Sequence, residues 1–363
     1  MKKTTVAVML FICFLAFPIS VSAAEKKGNI AEDMIGEFKE TIPSESGVDA
    51  DEDSLISDFG FDGIFNRLLG SLGEKRSELV AFILFVTGFC VLSIIVESVG
   101  FSGEGCDRML GAALFTVMSL GLYPRVYSIF SEVKTSLESI SSFLGAALPA
   151  MTAITVASGA VKSAGVQAMN MNITLGIIGA LCSRLLLPLS LSLLAFALIS
   201  SFGDGMAAGV SKSIKGLFTF GLGLVSAISS AAIALQSVVA SAADSASLRA
   251  ARYAASSLIP VVGSSVSGAL STLAGGLAYA KSTVGAASIA VIVTLSLAPL
   301  VLLLIHRTVF SLAEAFMDYM DNARGKRCFS AYKSAFDAVI SVYVMSTIIC
   351  IIQVIVFIKG GVS

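Results

Sequence analysis

Ionisable groups inside apolar sequence are costly, so each is a candidate for function. Arg184 is the clearest in this chain, thirteen residues after Met171 and sixteen before Ser200 in a long apolar run. Two readings of it stay open. If the helix is Ser183–Ser201, the guanidinium sits near the outer surface and snorkels; if the helix starts earlier, it is buried and lines a cavity. Arg249 and Arg252 are three apart, on one helix face, just before Ile259-Pro260-Val261-Val262-Gly263. Such a pair suits lipid phosphate, the carboxylate of Asp244 or an anionic path. Pro149 and Pro260 each begin an interrupted apolar stretch. Inside lipid such a break persists only where protein or water satisfies the freed carbonyls. Pro149, Arg184, Arg249, Arg252, Pro260 and Gly263 therefore form the candidate functional and packing centre.

Other chemistries lack their parts. The sequence has no HExxH, GxSxG or P-loop and no paired carboxylates, so hydrolase and NTPase readings fail. Six cysteines show no CxxC spacing, and no metal site or disulfide framework follows. Gly100, Gly103 and Gly105 make a flexible turn rather than a phosphate cradle. The single histidine, His306, stands at the end of an apolar run beside Arg307 and reads as interfacial, as do Glu97, Glu314 and Asp318. No enzyme, cofactor or nucleic-acid partner is expected.

The elements that must hold these residues are membrane helices. Mean hydropathy is +0.90, and 13% of residues are charged. A water-soluble chain of that composition would precipitate. Leu79–Val96, Met109–Phe130, Ile173–Ser201, Leu217–Ala240, Val284–Ile305 and Val339–Ile358 each approach the roughly 20 residues that cross a bilayer. The fold class is all-α, a polytopic bundle of about six transmembrane helices. Two further Pro-broken stretches, Phe143–Ala160 and Ala254–Gly276, are expected to dip in from the outer side and return.

Three regions follow. Residues 1–23 read as a signal peptide, with Lys2 and Lys3, an apolar core from Val6 to Phe17, and small side chains before cleavage after Ala23. Residues 24–78 form an acidic extracytoplasmic tail with an amphipathic lead-in from Phe59 to Leu72. Residues 79–363 form the transmembrane domain. The basic stretch between His306 and Asp337 belongs in the cytoplasm by the positive-inside rule, and six spans then leave both mature ends outside.

Two patterns bear on packing. Pro149 and Pro260 are 111 residues apart, as are Pro188 and Pro299, which suggests a parallel internal repeat. Gly223, Ala227 and Ala231 recur every four residues and would let helix backbones approach closely, within one chain or between copies of a homo-oligomer.

At Arg249, Arg252 and Ile259-Pro260-Val261-Val262-Gly263 the chain resembles the stage III sporulation protein AE family of endospore-forming bacteria. Leu148-Pro149-Ala150-Met151-Thr152-Ala153 resembles that family's other Leu-Pro-Ala segment, and the order of apolar runs agrees across nearly the whole chain. Ser257 and Gly268 depart from the family pattern. The resemblance implies a non-enzymatic component of the channel or secretion-like complex joining mother cell and forespore. It would act after engulfment, in the mother-cell membrane around the forespore, with other membrane proteins as partners. The alternative is a stand-alone secondary transporter, which a repeat with broken segments would suit.

Overall fold

The computed structural model describes residues 38, 40–43, 73, 75–99, 104–158, 160–180, 184, 188, 190–192, 194–195, 199, 213–232, 234 and 263–359. Ala23, Arg249, Arg252 and Pro260 lie outside the described residues. Six long helices organise the rest: α1 Arg76–Val99, α2 Glu104–Ala157, α3 Val161–Ile177, α4 Ser213–Ala232, α5 Gly263–Tyr319 and α6 Ala323–Lys359. Five of them, all but α3, are long and apolar enough to cross a membrane.

Length is the main departure from expectation. α2 has 54 residues and α5 has 57, so each extends about 80 Å at a rise of about 1.5 Å per residue. The stretch Phe143–Ala160 is not a separate dipping segment: it is the end of α2, which runs unbroken through Pro124 and Pro149. The reason is local. Pro149 and Pro124 are exposed, while Leu144, Ala147, Ala150, Met151 and Ile154 keep the helical period on the buried face. Losing single backbone bonds on the outer side does not end a helix whose inner face is packed. Likewise, residues 263–276 of the second stretch are continuous helix with the span that follows.

Pro149 lies within a helix, and Pro188 and Pro299 are both helical, while Pro260 lies outside the described residues. The expected span Ile173–Ser201 also changes character, because α3 ends at Ile177 in a π-helical turn over 178–180.

α5 and α6 form an antiparallel hairpin turning at Met320, Asp321 and Asn322. Asp321 takes φ 58° there, a left-handed conformation that Asp and Asn tolerate better than most residues. Asn322 closes the turn: its Oδ1 accepts the Gly325 backbone N–H at 2.7 Å, and its Nδ2 donates to Ser93 Oγ of α1 at 3.0 Å. The segment expected as a basic loop is therefore two helical arms. Arg307–Asp337 (2.8 Å), Lys326–Asp318 (2.7 Å) and Lys333–Glu314 join them.

Candidate functional site

The polar groups of the bundle interior gather where α2 and α3 meet the hairpin. Pro299 in α5 has no N–H to give the carbonyl of Leu295, one helical turn back. Ser136 of α2 supplies the missing donor, its Oγ lying 2.9 Å from Leu295 O. Tyr343 of α6 lies with its hydroxyl 2.7 Å from Ser136 Oγ and 3.1 Å from Ser296 O. Three helices thus meet at one proline, and the freed carbonyl finds protein instead of lipid. Ser136→Ala and Tyr343→Phe are each expected to lower stability by about 1–3 kcal/mol. Thermal unfolding of the detergent-purified protein checks this; a melting point unchanged in both variants contradicts it.

Farther along, a second group lies between α3, α5 and α6. Gln353 Nε2 donates to Thr174 Oγ1 at 2.8 Å. Asn170 Nδ2, one turn before Thr174, reaches Ala232 O of α4 at 3.3 Å. Gln167, a further turn back, is 7% exposed, and its Nε2 has no hydrogen-bond partner among the described residues; nor has Gln353 Oε1. Lys281 of α5 is 2% exposed, with Nζ 5.3 Å from the centroid of Phe357, one turn beyond Gln353. That is cation–π range. The arrangement offers amides, hydroxyls and one ammonium along a seam inside apolar helices.

His306 differs from expectation. It is fully buried, its ring 4.3 Å from Phe82 and 6.0 Å from the nearly parallel ring of Phe336. Its Nδ1–H donates to Leu302 O at 2.8 Å. α5 continues as helix past His306 to Tyr319, and Phe82 of α1 packs on the ring, so the imidazole is enclosed within the bundle. Glu314 likewise is half-buried against Lys333.

The candidates from sequence are dispersed. Pro149 is exposed and lines an open apolar groove of about 620 Å³ with Leu148, Thr152, Ala153, Val156, Ala157 and Ala168. Arg184 is exposed and is itself π-helical. Gly263 is the first residue of α5. None of these three contributes to the Ser136–Tyr343 cluster or the Gln353–Thr174 seam. Sequence reasoning passed over Gln167, Asn170, Thr174, Lys281 and Gln353 because an average over an apolar run hides a single polar residue within it. The signal available was spacing: Gln167, Asn170 and Thr174 share one helical face.

Long apolar helices around a thin polar seam define a polytopic helical membrane protein. The profile of the Stage III sporulation protein AE family matches residues 50–361, and the chain belongs to that family. The Stage III sporulation protein AE of Bacillus subtilis strain 168 is 20% identical over 308 residues, covering 81% of this chain and 77% of that protein. No solved structure matches. Membership supports a role in sporulation for a multi-pass membrane protein, in a family not known as an enzyme family.

Proposed function

We propose that this chain is a non-enzymatic membrane component of the complex linking mother cell and forespore, assembling there with other membrane proteins and with copies of itself. The observation that carries the reading is the family match over nearly the whole membrane region. The interior chemistry is compatible with it: amides and hydroxyls can solvate a path or bind a polar segment without making or breaking bonds. Small residues Gly223, Ala227 and Ala231 are exposed on α4, where close approach of another helix meets no bulk. The hairpin tip faces the cytoplasm in this reading and the acidic tail faces the intermembrane space. Deleting the gene is expected to block spore formation after engulfment and leave vegetative growth intact. Counts of heat-resistant spores, with microscopy of engulfed forespores, read this out. A vegetative defect in solute uptake, with normal spores, overturns it.

A further inference from the structure

Three ion pairs stand as rungs on one face of the α5–α6 hairpin. From the tip they are Lys326–Asp318 (2.7 Å), Lys333–Glu314 and Arg307–Asp337 (2.8 Å). Arg307, Ser311, Glu314 and Asp318 follow one another at intervals of four, three and four residues along α5. Lys326, Ser330, Lys333 and Asp337 repeat those intervals along α6. At about 100° per residue each set keeps within about 60° of arc. Each arm thus presents one polar stripe, and the rungs join the two stripes.

The neighbouring helices leave this face partly open. Phe82 of α1 packs on Phe310 and Phe130 of α2 packs on Phe336, at 5.4 and 5.3 Å between ring centres. Phe310 and Phe336 themselves point about 70–90° away from the stripes of their own arms. The side chains of the two inner rungs keep 17–27% exposure, and those of the tip rung 46–59%. Ser311, Ser330 and Ser334 beside them are also only partly covered. Both arms belong to helices long and apolar enough to cross a membrane. An acyl chain laid along this face would meet six charged groups, which is costly in lipid. Water or protein must face it instead.

The order of the charges selects the partner. Copies of one chain enter a membrane the same way up, so a two-fold axis between them runs along the membrane normal, as the arms do. Such an axis sets α5 of one copy across from α6 of the other at equal height. At a rise of about 1.5 Å per residue, Asp318 and Lys326 both stand about 6 Å from Asn322. Arg307 and Asp337 both stand about 22 Å from it, and Glu314 and Lys333 about 12 and 16 Å. Across the axis Asp318 therefore meets the second copy's Lys326, Glu314 its Lys333, and Arg307 its Asp337. Every rung finds the opposite charge. Setting α5 against α5 instead brings Arg307 to Arg307 and Glu314 to Glu314, like against like. The contact orphans no charge, since each keeps its rung partner and gains a second. The serines between the rungs add hydroxyls without bulk.

We propose that this ladder is a self-docking face, on which two copies of the chain meet about a two-fold axis along the membrane normal. The pairing rests on the proposed assembly of copies and gives it a face.

Exchanging the two ends of every rung tests the face without breaking the hairpin. The exchanged chain carries Arg307→Asp with Asp337→Arg, Glu314→Lys with Lys333→Glu, and Asp318→Lys with Lys326→Asp. It keeps every attraction within its own arms. Full-length copies bearing two different tags are made together in sporulating cells and purified in mild detergent. Parent with parent and exchanged with exchanged are expected to copurify. Recovery of exchanged copies on the parent is expected to fall about fivefold or more, because like charges then face each other on every rung. Parent copies that do not copurify overturn the proposal, as does mixing of parent and exchanged copies at the parental level. If the exchanged chain is lost from the membrane, crosslinking decides. Ser311 and Ser334 both stand about 17 Å from the tip. One copy with Ser311→Cys and another with Ser334→Cys, both otherwise free of cysteine, are expected to be joined by a short bismaleimide into a product carrying both tags. Ser311→Cys with Leu84→Cys, at an exposed position of α1, is expected to give none. Absence of the first product, or equal yields of both, overturns the proposal. Other sporulation membrane proteins that still copurify with such unpaired copies leave the proposed function standing.

Discussion

Gly285→Leu is expected to remove most of the folded protein from the membrane. A Cβ at this position overlaps Cγ1 and Cδ1 of Ile358, on the facing arm of the hairpin. Ile358 is β-branched and stiff at χ1, and the residues around Gly285 are buried on every turn of α5. Overpacking a close-packed site costs about 1–3 kcal/mol, more for a side chain as large as Leu. That is a large fraction of the stability of an ordinary domain. Membrane-fraction immunoblots and melting in detergent read the outcome. Gly145→Leu is the control, since a Cβ at Gly145 has nothing within 4 Å. Adding Ile358→Ala to Gly285→Leu is expected to restore part of the loss. Parental levels and melting for Gly285→Leu would show that α5 and α6 do not meet here.

Reversing one half of the Lys333–Glu314 pair is expected to be nearly as damaging. The two side chains are 21% and 17% exposed, sheltered enough that an uncompensated charge costs on the order of 2–3 kcal/mol. Lys333→Glu sets two carboxylates against each other and should open the hairpin arms. The double variant Lys333→Glu with Glu314→Lys restores the attraction with its ends exchanged. Spore yield and protein level should collapse in the single variant and return in the double one. Equal behaviour of both variants contradicts the pairing.

Class was legible in the sequence because it depends on composition and period. Apolar runs of helical length marked α1 and the first half of α2, and an all-α bundle followed. Continuity was not legible. Proline removes one N–H locally, but whether the helix ends depends on what happens to the carbonyl a turn away. For Pro299 the answer is Ser136, 159 residues from Leu295 in sequence. Surroundings were not legible either. A hydropathy window reports how apolar a segment is, not which partner lies beside it, so 284–305 and 79–96 looked alike although the first is largely buried and the second largely exposed. His306 misled for a similar reason: the neighbouring Arg307 suggested an interface, but its partner Asp337 sits on the other arm, and Phe82 closes over the imidazole. Of the candidate site, Pro149 lines a groove and Arg184 reaches the surface. The interior seam had been hidden because its polar residues stand singly in apolar runs.

The central claim is that this chain works as part of a sporulation membrane assembly. Affinity purification of the tagged full-length protein from detergent-solubilised sporulating cells, with mass spectrometry of what accompanies it, tests this most directly. The account predicts that other sporulation-complex membrane proteins copurify in amounts comparable to the bait, and are lost when Gly285→Leu replaces the parent. Recovery of the intact protein from engulfed cells free of every such partner would contradict it.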